Sequence, residues 1–160
     1  MNAIYQQQAD IQAKIQALLP AIPVGVEDPK NAAAEVTKAL VKGGLPANGS
    51  GKTGIAMLIT TVSAKTSDPD SRTETVLLDF VHRIAIYEQV EANRFGSNGI
   101  GTTGLDALSA LIGSEEAPGL HGWAQGPGQA PLQFQGFDSD QNEKGVTAWF
   151  AEFVLSRPAA

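Results

Sequence analysis

The sequence predicts an α+β fold: one mixed, mainly antiparallel sheet of about four strands, arranged as two hairpins and flanked by helices. Three observations predict it. Residues 72–88, RTETVLLDFVHRIAIYE, alternate, with Val76, Leu78, Phe80, His82, Ile84 and Ile86 on one side and a mixed set on the other. A period of two with β-branched and aromatic residues marks a half-buried strand. Residues 145–157 carry apolar side chains on both faces, as a central or doubly covered strand does. Between these two strands, Leu105, Leu108, Leu111 and Ile112 recur at helical spacing.

The elements follow in order. Residues 2–19 read as a helix: Ile4, Ile11, Ile15 and Leu18 make its apolar stripe, and Gln6, Gln7 and Gln8 are placed mostly off it. Pro20 and Pro23 end it. Asp28 and Pro29 are an N-cap and a first-turn proline, and Ala33, Val36 and Leu40 continue a second helix over 29–42, stopped by Gly43 and Gly44. Residues 55–64, IAMLITTVSA, are a strand that pairs with 72–88 as a hairpin. Its tip, 65–74, carries Lys65, Asp68, Asp70 and Arg72 around an Asp-Pro-Asp turn signal. A tip that long reads as a mobile loop or a contact arm.

A glycine-rich connection, 91–101, leads to a short helix capped by Thr102 or Thr103, with Asp106 three residues after Thr103 and Gly113 as its stop. Residues 113–131 form the longest irregular stretch, pinned to the body by Leu120 and Trp123. Residues 132–137 are a short strand, 138–144 a polar turn, and 145–157 the last strand, in which Glu152 is the one interior charge and Trp149, Phe150 and Phe153 read as core. No repeat or linker divides the chain, which reads as a single domain over 1–160, with helices at 2–19 and 29–42 and a sheet-and-helix core at 55–157.

Composition narrows the chemistry. The 160 residues include no cysteine, which excludes disulfides, thiol catalysis and thiolate metal sites. A formal charge of −6, with the basic residues scattered, argues against a nucleic-acid binder held by phosphate contacts. No apolar run approaches a membrane span, and the N-terminus lacks the basic start and apolar centre of a secretory signal.

The motifs that tempt a catalytic reading are incomplete. Gly51, Lys52 and Thr53 are the tail of a phosphate-binding loop, but Pro46 stands where the first glycine belongs, and a strand rather than a helix is predicted downstream. Asp79 follows an apolar run as a metal-binding aspartate would, yet it falls on the mixed side of an alternating strand. His82 reads as a satisfied or partly buried sheet histidine, and with His121 it makes no metal pattern. Glu115 with Glu116, and Asp138 with Asp140, read as solvated loop pairs, too few for a calcium loop. Ser109 and Ser114 lack a nucleophile elbow. No catalytic residue, cofactor or metal is expected.

Several segments, in order, carry a resemblance: ALLPAIPVGV after the first helix; a hairpin of unequal strands ending TVLLDFVHRIAIYEQ; the helix TTGLDALSALIGSEEAPG; the tract LHGWAQGPGQAPLQFQGFDSD; and the closing strand GVTAWFAEFVLSR. Together these segments resemble the tail terminator and tail completion proteins of long-tailed bacteriophages. In that group such a helix is commonly followed by Leu-x-Gly-Trp and then a proline-marked strand, as at Leu120, His121, Gly122, Trp123, Pro131 and Leu132. The resemblance covers residues 55–157 well and the N-terminal third loosely, where the expected helix at 29–42 departs from the pattern.

The resemblance implies a virion assembly protein and not an enzyme. Such proteins form a homo-oligomeric ring, usually a hexamer, at the head-proximal end of the tail, after synthesis in the host cytoplasm. The ring caps the tail tube protein, stops its polymerisation and presents a face to the head–tail connector or neck protein; in contractile tails it also meets the sheath protein. No sequence-specific nucleic acid and no membrane is implied as a partner. Such a ring needs two different surfaces on one subunit. The 65–74 tip and the 113–131 loop, with Lys65, Asp68, Asp70, Arg72, Glu115, Glu116, His121 and Trp123, are the expected interaction loops. Another neck, connector or minor tail protein of related fold is the alternative, and a nucleotide-binding enzyme using Gly51, Lys52 and Thr53 the less favoured one.

Overall fold

The computed structural model describes residues 3–26, 54–66, 77–89, 102–141 and 146–158. They form α1 (Ala3–Leu18), β1 (Val24–Val26), β2 (Ile55–Thr66), β3 (Leu77–Gln89), α2 (Gly104–Ile112), β4 (Gln133–Gln141) and β5 (Val146–Pro158). The five strands make one mixed sheet in the order β1-β2-β3-β5-β4. Only β1–β2 is parallel; the other three pairings are antiparallel. The α+β class and both antiparallel hairpins are as the sequence predicts.

The period-two pattern sets the faces. Ile55, Met57 and Ile59 of β2, Ile84 and Ile86 of β3, and Ala151, Phe153 and Leu155 of β5 lie in one buried cluster. Ile11 and Ile15 of α1 and Ala107, Leu108 and Leu111 of α2 close it, so both helices pack on the same face. The opposite face is also buried at Ala56, Leu58, Ala85 and Ala148. As its two-sided apolar pattern requires, β5 lies inside the sheet, between β3 and β4.

Four expectations need correction. The sheet has a fifth strand, β1, beyond the about four expected; three residues are too few to show a period. Gln12 Nε2 donates to the Val24 carbonyl (2.8 Å) and Met57 N–H to the Pro23 carbonyl (2.9 Å), which fixes β1 between α1 and β2. Gln7 and Gln8, placed off the stripe of α1, are buried. Residues 138–141, read as a turn, extend β4: Asp138 pairs with Phe150 and Asp140 with Ala148. Asp138, Ser139 and Asp140, with exposed side chains, suit an edge strand. Phe150, read as core, lies half-buried on the face away from the helices, where it meets Tyr87 edge-to-face.

The helix expected at 29–42, the phosphate-loop fragment at Gly51, Lys52 and Thr53 and most of the 65–74 tip lie outside the described residues. Among the described residues no helix is long and apolar enough to cross a membrane.

Candidate functional site

Three constellations place polar chemistry on this frame. The first joins α1 to the sheet. His82 is fully buried on the helix face of β3, directly opposite Thr61 of β2. Gln7 Oε1 lies 2.8 Å from its Nε2, and Thr61 Oγ1 2.9 Å from its Nδ1. Gln8 Nε2 donates to Thr61 Oγ1 at 2.9 Å. With neutral imidazole the three bonds form one chain: Gln8 amide to Thr61 oxygen, Thr61 hydroxyl to Nδ1, and Nε2–H to Gln7 oxygen, while Gln7 Nε2 is buried without a hydrogen-bond partner. Burial lowers the His82 pKa to about 4, so the ring is neutral at physiological pH. This is structural chemistry, as the lone histidine on an apolar face suggested.

The second constellation opens α2. Thr103 caps the helix in a reciprocal capping box: its hydroxyl accepts from Asp106 N–H (3.1 Å), and the Asp106 carboxylate accepts from Thr103 N–H (3.0 Å). Gly104 N–H donates to Oε2 of the buried Glu88 at 2.8 Å. A carboxylate suits the positive end of a helix. A Cβ at Gly104 would collide with the Trp149 ring, so glycine is required there. Glu88 was not singled out from sequence. The signal was present, because it is the next even-numbered position after Ile86.

The third is a groove lined by Arg83, Gln135, Gly136, Phe137, Asp138, Phe150 and Glu152, of which Arg83, Asp138, Phe150 and Glu152 lie on the opposite face. Arg83 and Glu152 are direct cross-strand partners; Nη2 lies 2.7 Å and Nε 3.2 Å from Glu152 Oε1. The guanidinium also stands 5.8 Å from the Phe150 ring centroid. At the rim, β4 bulges between Phe134 and Gly136, and Gly136 takes φ +151°.

The expected interaction residues fall as follows. Lys65 lies in β2, paired with Asp79 of β3; Asp68, Asp70 and Arg72 are outside the described residues. Glu115, Glu116, His121 and Trp123 share the 113–131 loop. That loop is tied down rather than free. Ser114 and Ala117 exchange hydrogen bonds, Leu120 N–H donates to the Leu111 carbonyl (2.6 Å), and Gly122 N–H to the Leu132 carbonyl (2.8 Å). Leu120 is fully buried and Trp123 packs against the core beneath Lys14, whose ammonium stands 5.9 Å from the ring centroid. Glu115 and Glu116 are exposed at the turn. The His121 ring accepts at Nδ1 from Phe134 N–H (3.0 Å), so it anchors the start of β4.

The catalytic lures find structural roles. Asp79 accepts from the Ser156 hydroxyl across the β3–β5 pair. Ser109 donates to the Leu105 carbonyl within α2. After Gly54 the chain enters β2 at Ile55, where a phosphate loop would open a helix. Among the described residues no group of three or more His, Asp or Glu side chains could hold a metal ion.

No protein-family profile matches this chain, and no curated protein matches it. Among solved structures, a chain from the virion of a native gene transfer agent particle aligns over 96% of this chain and 91% of that one, at 15% identity and a TM-score of 0.44. A likeness that weak bears on neither the fold nor the function of this protein.

Proposed function

We propose that this protein is a virion assembly component of the tail terminator type. It forms a ring that caps the tail tube, ends its polymerisation and joins the tail to the head connector. The order of elements from β2 to β5 supports this reading. Hairpin, capped helix, anchored Leu120–Trp123 tract and closing hairpin follow one another as in the group that the sequence resembles. The role requires no reaction. It requires two unlike surfaces on one subunit, so that head-to-tail contacts close. The sheet supplies two unlike edges: a three-residue apolar strand, β1, and a nine-residue polar strand, β4. Glu115 and Glu116, exposed on a loop that the core holds fixed, suit recognition of a neighbouring ring.

The test is light scattering over a wide concentration range with negative-stain imaging, run with and without purified tail tubes. Rings of about six subunits, free or on tube ends, are expected. A protein that stays monomeric and leaves tube length unchanged would refute the reading. Lys52→Ala is expected to leave capping intact; loss of a nucleotide-dependent activity in that variant would favour an enzyme instead.

A further inference from the structure

We propose that the free edge of β4 is a docking site for an extended, basic segment of a partner protein, which adds to the sheet as a sixth strand. The inference stands on β4 and β5 alone and does not rest on the assembly reading. Within the described sheet β4 has one neighbour, β5, so its other edge presents backbone donors and acceptors. The pairing with β5 fixes where its side chains point. Asp138 opposite Phe150 and Asp140 opposite Ala148 lie on the face away from the helices; Phe137 opposite Ala151 and Ser139 opposite Trp149 lie on the helix face. Phe137 is 53% exposed, one of few large apolar side chains so open among the described residues.

The charges choose the occupant. Asp138 and Asp140 are exposed, and beside Asp138 the groove holds Glu152, whose Oε1 alone engages Arg83. Among the described residues Arg83 pairs with Glu152 alone, which leaves the Asp138 and Asp140 carboxylates at the edge exposed. A second copy of β4 laid along this edge would set aspartates against aspartates, which is destabilising. The same carboxylates attract a strand with Lys or Arg at alternate positions. The positions between them, on the other face, would be apolar and pack on Phe137. The bulge between Phe134 and Gly136 interrupts the ladder, so the regular part, from Phe137 to Gln141, is the docking stretch. This is strand addition, with backbone bonds giving affinity and alternating side chains giving selection.

The experiment titrates the full chain, in 50 mM salt, with an eight-residue peptide of alternating Lys and Val, and with its Glu–Val counterpart. Backbone amide shifts and hydrogen exchange are followed by NMR. The Lys–Val peptide should slow exchange and shift amides within Gln133–Gln141, and its affinity should fall at 0.5 M salt. Asp138→Lys combined with Asp140→Lys should weaken it by about tenfold or more, and Phe137→Ser should weaken it without altering the salt dependence. Free arginine amide should leave the β4 amides unchanged, since it offers no strand. Equal binding of the Glu–Val peptide, shifts confined to other elements, unchanged affinity in the double variant, or no binding would each overturn the proposal.

Discussion

The imidazole Nε2 of His82 in β3 and the side-chain oxygen of Gln7 in α1 meet at 2.8 Å, 75 positions apart in the chain and wholly out of solvent. In such a place the neutral ring fits the bonds it makes, and a charged one would be costly.

Acid should therefore loosen the protein through His82. Its pKa is about 4 when folded and about 6.5 when unfolded. Above pH 6.5 both states are neutral and the network contributes in full. As pH falls from 6.5 toward 4 the unfolded chain takes up a proton that the folded one refuses, and stability drops by about 3 kcal/mol. Urea unfolding at several pH values measures it. In His82→Phe this component of the slope should vanish; an unchanged slope would remove His82 as its origin.

Gly104→Ala is expected to destabilise by about 1–3 kcal/mol, because the new methyl group must displace the Trp149 ring. Thermal melts read the stability and near-ultraviolet dichroism reads the Trp environment. Ala at Gly122, where a Cβ meets nothing within 4 Å but φ is +79°, provides a strain-only control.

The Arg83–Glu152 pair should contribute little, although both hydrogen bonds are well formed. Its side chains are 43% and 36% exposed, so solvent screens the attraction. A double-mutant cycle with Arg83→Met and Glu152→Gln should return a coupling below about 1 kcal/mol, smaller still in 0.5 M salt. A coupling of several kcal/mol would mean that the pair is far less solvated than its exposure indicates.

Long periodic segments were legible in the sequence; isolated short ones and polar contacts were not. The alternation through Leu78–Ile86 placed β3 and its inward face correctly because one buried face fixes the phase of every side chain. Thr103 and Asp106 announced α2, since a capping box is local chemistry. Val24–Val26 had no such signal: a three-residue parallel strand exists only because β2 and Gln12 meet it. Gln7 sits four residues before Ile11, in line with the helical stripe, yet its side chain gives no apolar signal; the polar partner to its oxygen is His82, in another element. The exposed groups of the 113–131 loop were identifiable by their polarity, but the backbone bonds that fasten it to Leu111 and Leu132 join residues with no shared pattern.

The Gln7 carbonyl also accepts from the Gln125 side chain, 118 positions later. The first helix is thus held by a residue of the loop that follows α2. Contacts of such separation form late, because the intervening chain must first be ordered. During refolding α1 is therefore expected to dock after the sheet and α2 assemble, with Ile11 and Ile15 uncovered until then. Pulsed hydrogen exchange during refolding should find α1 amides protected after those of β3 and β5; simultaneous protection would contradict this. A chain in that interval is the form most exposed to association with other chains.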